Sequence, residues 1–216
     1  MVHAPETKIM SFDEKAKTWD QNPEFTKRAK IVAEKMIQVI KPLPAWQAIE
    51  FGCGTGLVSY FLKNALHKIY LLDSSKGMIE VLEEKIKKEE IKNFQAIHIQ
   101  SDLDKTLKDV NVDLLYSSMA MHHVMDLNSS FSWFHDVLKP GGSICIVDLD
   151  QEDGRFHWHD TDFDGHHGFS EEAIKKYFHQ FGFKIIDYHI FMKIPRILED
   201  GSIKDYPLFF ICAVKV

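Results

Sequence analysis

The stretch that most constrains the fold of this chain covers residues 48–58, where a short apolar run meets three alternating glycines. The run ends at Glu50-Phe51, and the glycines Gly52, Gly54 and Gly56 follow at alternate positions. Glycine adopts positive φ angles at little steric cost and lets a ligand approach the backbone closely. A helix-like apolar pattern begins directly after the third glycine, so the free N–H groups of that helix start would face the same ligand. The stretch therefore predicts a strand, a tight turn and a helix N-terminus, a combination shared by several nucleotide-binding folds.

Strand-like and helix-like segments alternate from Trp46 to Leu149, which predicts a parallel sheet covered by helices on both faces. The tail departs from this alternation, because residues 183–192 and 206–216 are both strand-like with no helix between them. Asp200-Gly201 between them is a signal for a two-residue hairpin turn, so we expect these two strands to be antiparallel. No repeat or low-complexity linker interrupts the sequence. We predict one doubly wound α/β domain over residues 1–216.

Charge and cysteine content limit the kinds of binding partner and the cellular location that we expect for this protein. Acidic residues exceed basic ones by 32 to 26, a net charge of −6 with histidine neutral, which removes the simplest argument for a nucleic-acid partner. No segment approaches the apolar length of a membrane span, and the first twelve residues lack the apolar centre of a secretory signal. Cys53, Cys145 and Cys212 are odd in number and widely spaced, which favours reduced thiols and a cytoplasmic location.

Acids stand where two of the predicted strands end, which is where ligands bind in open α/β sheets. Asp73 follows the glycines by about twenty residues, a position suited to vicinal ribose hydroxyls because a carboxylate accepts two hydrogen bonds side by side. Asp102 follows the third predicted strand, where it could accept from an adenine amine or simply cap a helix. A nicotinamide dinucleotide fits less well, because its motif has two residues between the second and third glycines.

In order and spacing, these motifs resemble the class I S-adenosylmethionine-dependent methyltransferases. The matching segments are Glu50-Phe51-Gly52-Cys53-Gly54-Thr55-Gly56, Leu72-Asp73-Ser74-Ser75-Lys76-Gly77-Met78, Gln100-Ser101-Asp102-Leu103, the stretch from Asp113 to His123, and Leu138-Lys139-Pro140-Gly141-Gly142. Phe12-Asp13-Glu14-Lys15-Ala16 with Trp19-Asp20 looks like the start of the family's quinone-biosynthesis and small-molecule branch. The resemblance implies a Rossmann-like, seven-stranded, mostly parallel sheet with an antiparallel last strand. It also implies an N-terminal helical lid (residues 1–44), a cofactor-binding core (45–150) and a substrate-side loop, helix and hairpin (151–216).

The resemblance also implies the cofactor S-adenosylmethionine and a set of residues that bind it. The glycines would approach its methionine part, Glu50 would support the loop, and Asp73 would accept from the ribose. Backbone carbonyls near Ser117 would accept from its amino group. The implied cofactor-binding residues are Glu50, Gly52, Cys53, Gly54, Asp73, Ser74, Met78, Asp102, Leu103 and Ser117.

The predicted chemistry is direct displacement, in which the acceptor attacks a methyl group already activated by a positive sulfur. A protonated acceptor also needs a base, and we predict His122 for that role. The other candidate bases are His123, Asp148, Asp150 and the His-rich stretch 157–167, which includes His167. That stretch has spacings that could bind a metal, but interleaved aromatic residues favour a polar loop rimming the substrate pocket, and we predict no metal. Trp19 is predicted to belong to a lid over the cofactor.

The acceptor class is narrowed by what the sequence lacks. No Asn/Asp-Pro-Pro-aromatic tetrapeptide, typical of many enzymes that methylate amino groups in nucleic acids, follows the fourth predicted strand. Together with the negative charge, this favours a small-molecule acceptor and no nucleic-acid partner. Two alternatives stay open, a protein that binds S-adenosylmethionine without catalysis and a metal-dependent enzyme on the same fold.

Overall fold

The computed structural model describes residues 11–100, 107–108, 110–160 and 163–216. The α-helices in this part of the chain are α1 (Phe12–Trp19), α2 (Pro23–Ile40), α3 (Leu57–Leu62), α4 (Lys76–Lys88), α5 (Leu127–Val137) and α6 (Glu171–Gln180). The strands are β1 (Gln47–Phe51), β2 (Lys68–Asp73), β3 (Phe94–His98), β4 (Val112–Ser118), β5 (Leu138–Leu149), β6 (Phe183–Ile197) and β7 (Ile203–Lys215). A short 3-10 turn, Met121–His123, follows β4. The predicted cofactor residues Asp102 and Leu103 lie outside the described residues.

The seven strands form one sheet in the order β3-β2-β1-β4-β5-β7-β6. The first five strands pair in parallel, whereas β7 runs antiparallel to both of its neighbours. The predicted seven-stranded, mostly parallel sheet with an antiparallel last strand is therefore confirmed. The chain order reverses between β1 and β4, which places a topological switch point at their carboxyl ends.

Both N-terminal helices begin at strong capping signals. Ser11 and Glu14 cap α1 reciprocally, since each side chain accepts from the backbone N–H of the other. Asn22 caps α2 by accepting from the Glu24 N–H at 3.0 Å, and Pro23 occupies the first helical position. These local signals fix where each helix starts, so the loop between α1 and α2 is short.

Apolar side chains cover both faces of the sheet. One core joins α2, α3 and α4 to one face, with Val32, Met36 and Leu82 among its buried members. The other joins α5 and α6 to the opposite face, with Phe131 and Phe178 in its centre. Helices on both faces are what the alternation of strands and helices predicts.

The hairpin between β6 and β7 is wider than the sequence predicts. The Leu198 N–H donates to the Ser202 carbonyl at 2.8 Å, which closes a loop of three intervening residues instead of two. A two-residue type I′ turn needs positive φ at both central residues. Of the Asp200-Gly201 pair only the glycine adopts it, at 79°, so the two-residue turn is wrong and a glycine-terminated longer loop takes its place.

Among the helices that the structure describes, none has the length and apolarity needed to cross a bilayer. The three cysteines are buried, and all are free thiols.

Candidate functional site

A cavity of about 500 Å³ lies at the carboxyl ends of β1, β2 and β4, beside the switch point. The segments after these strands line it, together with α1, α2 and parts of the chain beyond β5. Its position agrees with the general rule for ligand sites in open α/β sheets. Its volume is that of a pocket for one or two small molecules.

The glycine turn after β1 adopts the conformation its sequence predicts. Gly52, Gly54 and Gly56 all have positive φ, at 68°, 53° and 75°. A Cβ added to Gly52 would lie 2.2 Å from the Cβ of Ala120, so the turn packs directly on the segment after β4. A Cβ added to Gly54 would find its nearest neighbour, the Met78 sulfur, at 3.9 Å. Gly54 therefore borders open space on the cavity side, as a residue beside a ligand should.

Asp73 stabilises the glycine turn through hydrogen bonds. Its carboxylate accepts from the Gly54 N–H at 2.7 Å through one oxygen and from the Ser75 N–H at 2.8 Å through the other. Burial raises the pKa of this carboxyl, while these two N–H donors oppose that rise. Each oxygen keeps a second lone pair, so the side chain can still accept from the hydroxyls of a ligand.

Glu50 is buried at the end of β1, where it supports the start of α3. One carboxyl oxygen accepts from both the N–H and the hydroxyl of Ser59, and that hydroxyl lies 2.6 Å from the Tyr116 hydroxyl. Burial raises the pKa of Glu50 to about 8, against the hydrogen bonds from Ser59 that lower it. The residue that supports the glycine turn is therefore a neutral acid at pH 7.

Helix α1 lies across the cavity and is held at both ends by carboxylates. At its start, Asp13 accepts from the Ser75 hydroxyl at 2.5 Å and the Gly77 N–H at 2.8 Å. Just after its end, Asp20 accepts from the Thr55 hydroxyl at 2.5 Å and pairs with the Lys85 ammonium at 2.6 Å. Both anchors join α1 to the elements that carry the glycine turn and Asp73.

The inner side of α1 places aromatic rings over the cavity. Trp19 lies 4.5 Å from Phe25 of α2, and Phe12 meets His123 edge to face at 5.2 Å. All four rings line the cavity. This arrangement supports the interpretation of α1 as a lid.

His122 and Asp148 form a buried pair in the wall of the cavity. The His122 Nδ1 lies 2.5 Å from Asp148 Oδ1, and the His122 backbone N–H donates to Oδ2 at 3.3 Å. The Leu149 N–H donates to Asp148 at 2.7 Å. Backbone donors therefore hold the carboxylate, which in turn fixes the proton of His122 on Nδ1 and leaves Nε2 as the basic nitrogen.

Two further imidazoles stand next to His122. The rings of His123 and His157 lie 4.2 and 5.1 Å from that of His122, and His157 stacks on Phe163 at 4.0 Å. Burial and the neighbouring His122 lower the pKa of His123 to about 4 and that of His157 to about 3. One ligand atom from each of the three histidines lies within 4.8 Å of the others, and the Nδ1 of His157 is buried without a hydrogen-bond partner in the described structure. The three residues are a candidate metal-binding group.

Described residues of the His-rich stretch, 157–160 and 163–167, pack on the turn that carries His122. His166 donates its backbone N–H to the His122 carbonyl at 2.7 Å, and its ring lies 2.9 Å from the Val124 carbonyl. A Cβ on Gly165 would lie 2.3 Å from the His122 carbonyl, so only glycine allows this approach. The Trp158 indole donates to the Ile197 carbonyl at 3.0 Å, which ties the stretch to the end of β6.

The structure brings most of the predicted site residues together. Of the predicted site residues, those that line the cavity are Glu50, Gly52, Cys53, Gly54, Asp73, Ser74, Met78, Trp19 and His122. Ser117 is buried under the wall, which its neighbours Ser118, Met119 and Ala120 form instead. His167 lies outside the cavity wall and faces Glu152 at 3.2 Å. Their roles toward a ligand stay predictions.

Several residues that line the cavity have no signal in the sequence. Arg28 of α2 and Arg196 of β6 belong to segments far apart in the chain. Asp13 and Asp20 stand in a recognisable motif, but their hydrogen-bond partners lie more than thirty residues away along the chain. Only the packing of α1, α2 and β6 around the sheet brings these groups to one place.

Comparison with known proteins agrees with this geometry. Residues 49–146 match the family described as "Methyltransferase domain". An uncharacterized methyltransferase of Schizosaccharomyces pombe is 32% identical over 115 residues, which are 50% of this chain and 40% of that protein. A demethylmenaquinone methyltransferase of a Geobacillus strain is 27% identical over 108 residues, 49% of this chain and 46% of that protein. The chain thus spans less than half the length of these relatives. The predicted resemblance to methyltransferases is confirmed, and one named for demethylmenaquinone is among the relatives.

A solved structure shows the same fold over nearly its whole length. The putative methyltransferase from Bacillus halodurans superimposes with a TM-score of 0.72, covering 85% of this chain and 98% of that one, at 16% sequence identity. At this identity the likeness concerns the fold, which is the predicted Rossmann-like arrangement.

Proposed function

We propose, from the premise that residues 49–146 of this chain form a methyltransferase domain, that the protein transfers a methyl group to a small-molecule acceptor. S-adenosylmethionine, when bound, supplies a methyl group activated by its positive sulfur. What is left to the protein is to align the acceptor, to exclude water and to take up a proton where the acceptor carries one.

The residues at the glycine turn fit this cofactor. Positive φ at Gly52 and Gly54 lets the backbone approach a ligand, and Gly54 borders open space toward Met78. Asp73, braced by two N–H donors, has the lone pairs to accept from vicinal hydroxyls. Cys53 and Ser74 line the same wall, and Trp19 covers it from α1.

The single observation that carries a catalytic role is the buried pair of His122 and Asp148 in the wall of the same cavity. Asp148 orients the imidazole and stabilises the cation that forms when Nε2 takes up a proton, as a carboxylate does behind a catalytic histidine. Both side chains are buried, and His166 holds the turn that carries His122 through the carbonyls of His122 and Val124. We assign His122 as the general base.

The proposed acceptor is a small molecule. The net charge of −6 gives no electrostatic reason for nucleic-acid binding. A relative is named for demethylmenaquinone, a small molecule, which supports an acceptor of that class.

The test compares His122→Gln with His167→Gln, a control outside the cavity wall whose side chain is half exposed. Calorimetry with S-adenosylhomocysteine should show binding to the wild type and both variants, with affinities within about threefold. With methyl-labelled S-adenosylmethionine and an acceptor found by screening, His122→Gln should lower kcat by about 10²–10⁴-fold and the control should not. Absence of S-adenosylhomocysteine binding would refute the cofactor assignment. Methyl transfer at the wild-type rate by His122→Gln would refute the base.

Two other functions are decided by related measurements. A protein that only binds the cofactor would bind S-adenosylhomocysteine and methylate nothing in a broad acceptor screen.

A metal-dependent reaction is favoured by the imidazoles of His122, His123 and His157, because metal-bound histidines typically donate a hydrogen bond to a carboxylate such as Asp148. The positive charge of Arg196 in the same cavity opposes a divalent cation there. Elemental analysis of untagged protein that finds about one equivalent of metal, lost in His157→Gln, would establish the metal-dependent function instead.

A further inference from the structure

We infer that Arg196 binds a carboxylate group of the methyl acceptor. This inference rests on the proposed function, because it concerns the acceptor of the same reaction. The ionisable side chains that line the cavity come from different sides of it. Asp73 and the neutral acid Glu50 lie together at the glycine turn, whereas Arg28, Arg196 and Lys15 come from α2, β6 and α1, and Asp160 from the segment beyond β5.

The two arginines line one cavity. Each is half-buried, and the positive charge of Arg196 together with burial lowers the pKa of Arg28. Neither guanidinium forms an ion pair with any residue of the described structure, although Asp160 lines the same cavity. The Nε–H of Arg196 is buried without a hydrogen-bond acceptor among these residues. A donor of this kind is costly to bury unless a ligand satisfies it.

The surroundings of Arg196 orient its guanidinium. The group lies over the ring of Phe156, 4.2 Å from the centroid, in a cation–π contact. Phe156 is itself buried, so the ring covers one face of the guanidinium plane. The edge of that plane carries the N–H donors, whose fork matches the two oxygens of a carboxylate.

A carboxylate bound there would lie close to the proposed base. The guanidinium of Arg196 lies over Phe156, whose ring is 4.9 Å from that of His157, and the His157 ring is in turn 5.1 Å from that of His122. Arg28 lines the same cavity as His122 and His157. The arginine pair and the base therefore border one region of the cavity. An acceptor held by its carboxylate would keep its nucleophilic atom beside His122.

A carboxylate could come from the acceptor or from the methionine part of the cofactor, and the experiment separates the two. Calorimetry is run on the wild type, on Arg196→Met and on the control Arg155→Met, whose side chain is exposed and paired with Asp153 at 2.7 Å. The first arm compares S-adenosylhomocysteine with its decarboxylated analogue. The second titrates matched acids and amides (acetate and acetamide, benzoate and benzamide, 2-naphthoate and 2-naphthamide) into each protein with and without S-adenosylhomocysteine.

We expect at least one acid to bind the wild type about tenfold or more tightly than its amide, as a charge-assisted bidentate pair implies. Arg196→Met should lose that preference and keep its affinity for S-adenosylhomocysteine, which also shows that the variant is folded. Arg155→Met should keep both. Equal affinities within every acid–amide pair, or a preference that survives Arg196→Met, would overturn the inference.

The first arm decides the source of the carboxylate. If Arg196→Met weakens S-adenosylhomocysteine but not its decarboxylated analogue, Arg196 serves the cofactor and the inference is wrong. If the wild type binds S-adenosylhomocysteine and shows no acid preference, only this inference fails and the proposed function stands. If S-adenosylhomocysteine does not bind, the proposed function fails, and the acid–amide comparison on the ligand-free protein still decides whether Arg196 binds carboxylates.

Discussion

Replacing Glu50 with glutamine should change how the stability of the ligand-free protein depends on pH. Burial raises the pKa of this acid to about 8 in the folded protein, while in the unfolded chain it titrates near its ordinary value of about 4.5. Between these values the folded state binds a proton that the unfolded state releases, so the free energy of unfolding falls as pH rises. Below pH 4.5 this contribution is fully present, and it is lost as pH rises through 8.

The size of the effect follows from the difference between the two pKa values. One pKa unit corresponds to about 1.4 kcal/mol, and the folded acid is already half ionised at pH 8, so the wild type loses about 2 kcal/mol between pH 6 and pH 8 and about 5 kcal/mol over the whole window. Glu50→Gln has no proton to lose. The unfolding free energy of Glu50→Gln minus that of the wild type should therefore rise by about 2 kcal/mol from pH 6 to pH 8, because other titrating groups cancel in this difference.

Urea denaturation followed by tryptophan fluorescence at pH 6, 7 and 8 measures this difference, since the chain contains four tryptophans. Glu199→Gln, at an exposed position of the β6–β7 loop, is the matched control and should differ from the wild type by a constant amount. A Glu50→Gln difference that is flat across this range would refute a neutral acid beneath the glycine turn.

Two further predictions concern the glycine turn and helix α1. Gly52→Ala is strained by its positive φ and by a clash with Ala120, whereas Gly141→Ala is strained by φ alone, since nothing lies within 4 Å of its Cβ position. Thermal unfolding should show that Gly52→Ala loses about 3 kcal/mol or more of stability and Gly141→Ala about 1 kcal/mol. Equal losses would contradict the close packing of Gly52 on Ala120. Asp20→Asn removes the charge that pairs with Lys85 and should weaken S-adenosylhomocysteine binding about three- to tenfold in calorimetry. Glu24→Gln, which removes one partner of an exposed ion pair, should leave the affinity unchanged. Unchanged affinity in Asp20→Asn would contradict a role of α1 in ligand binding.

Local patterns were sufficient to predict the fold and the glycine turn. The glycines at positions 52 and 54 need positive φ for a reason contained in the turn itself, and Pro23 marks the start of α2 by its own geometry. The hairpin at Asp200-Gly201 shows the limit of this approach. A dipeptide signals a turn, but strand register decides how many residues that turn contains.

The candidate site was harder to predict, because its groups meet only in the folded chain. His122 follows β4 and Asp148 lies near the end of β5, yet their contact depends on β4 and β5 being neighbours in the sheet. Arg28 and Arg196 belong to the second helix and the sixth strand, and no spacing in the sequence relates them. Charged residues on an amphipathic helix or an edge strand are usually solvated, so each arginine alone gives no reason to expect a ligand.

The attachment of α1 has a kinetic consequence. Asp13 and Asp20 bind opposite ends of one eight-residue helix to the elements that carry the cavity. Under the proposed function, we expect a ligand beneath the helix to leave when both ends release, so that the helix sets a residence time as well as an affinity and its opening competes with methyl transfer for control of turnover. Because the Asp20 anchor is an ion pair with Lys85 and Asp20 is partly exposed, we expect added salt to speed the exchange of bound ligand.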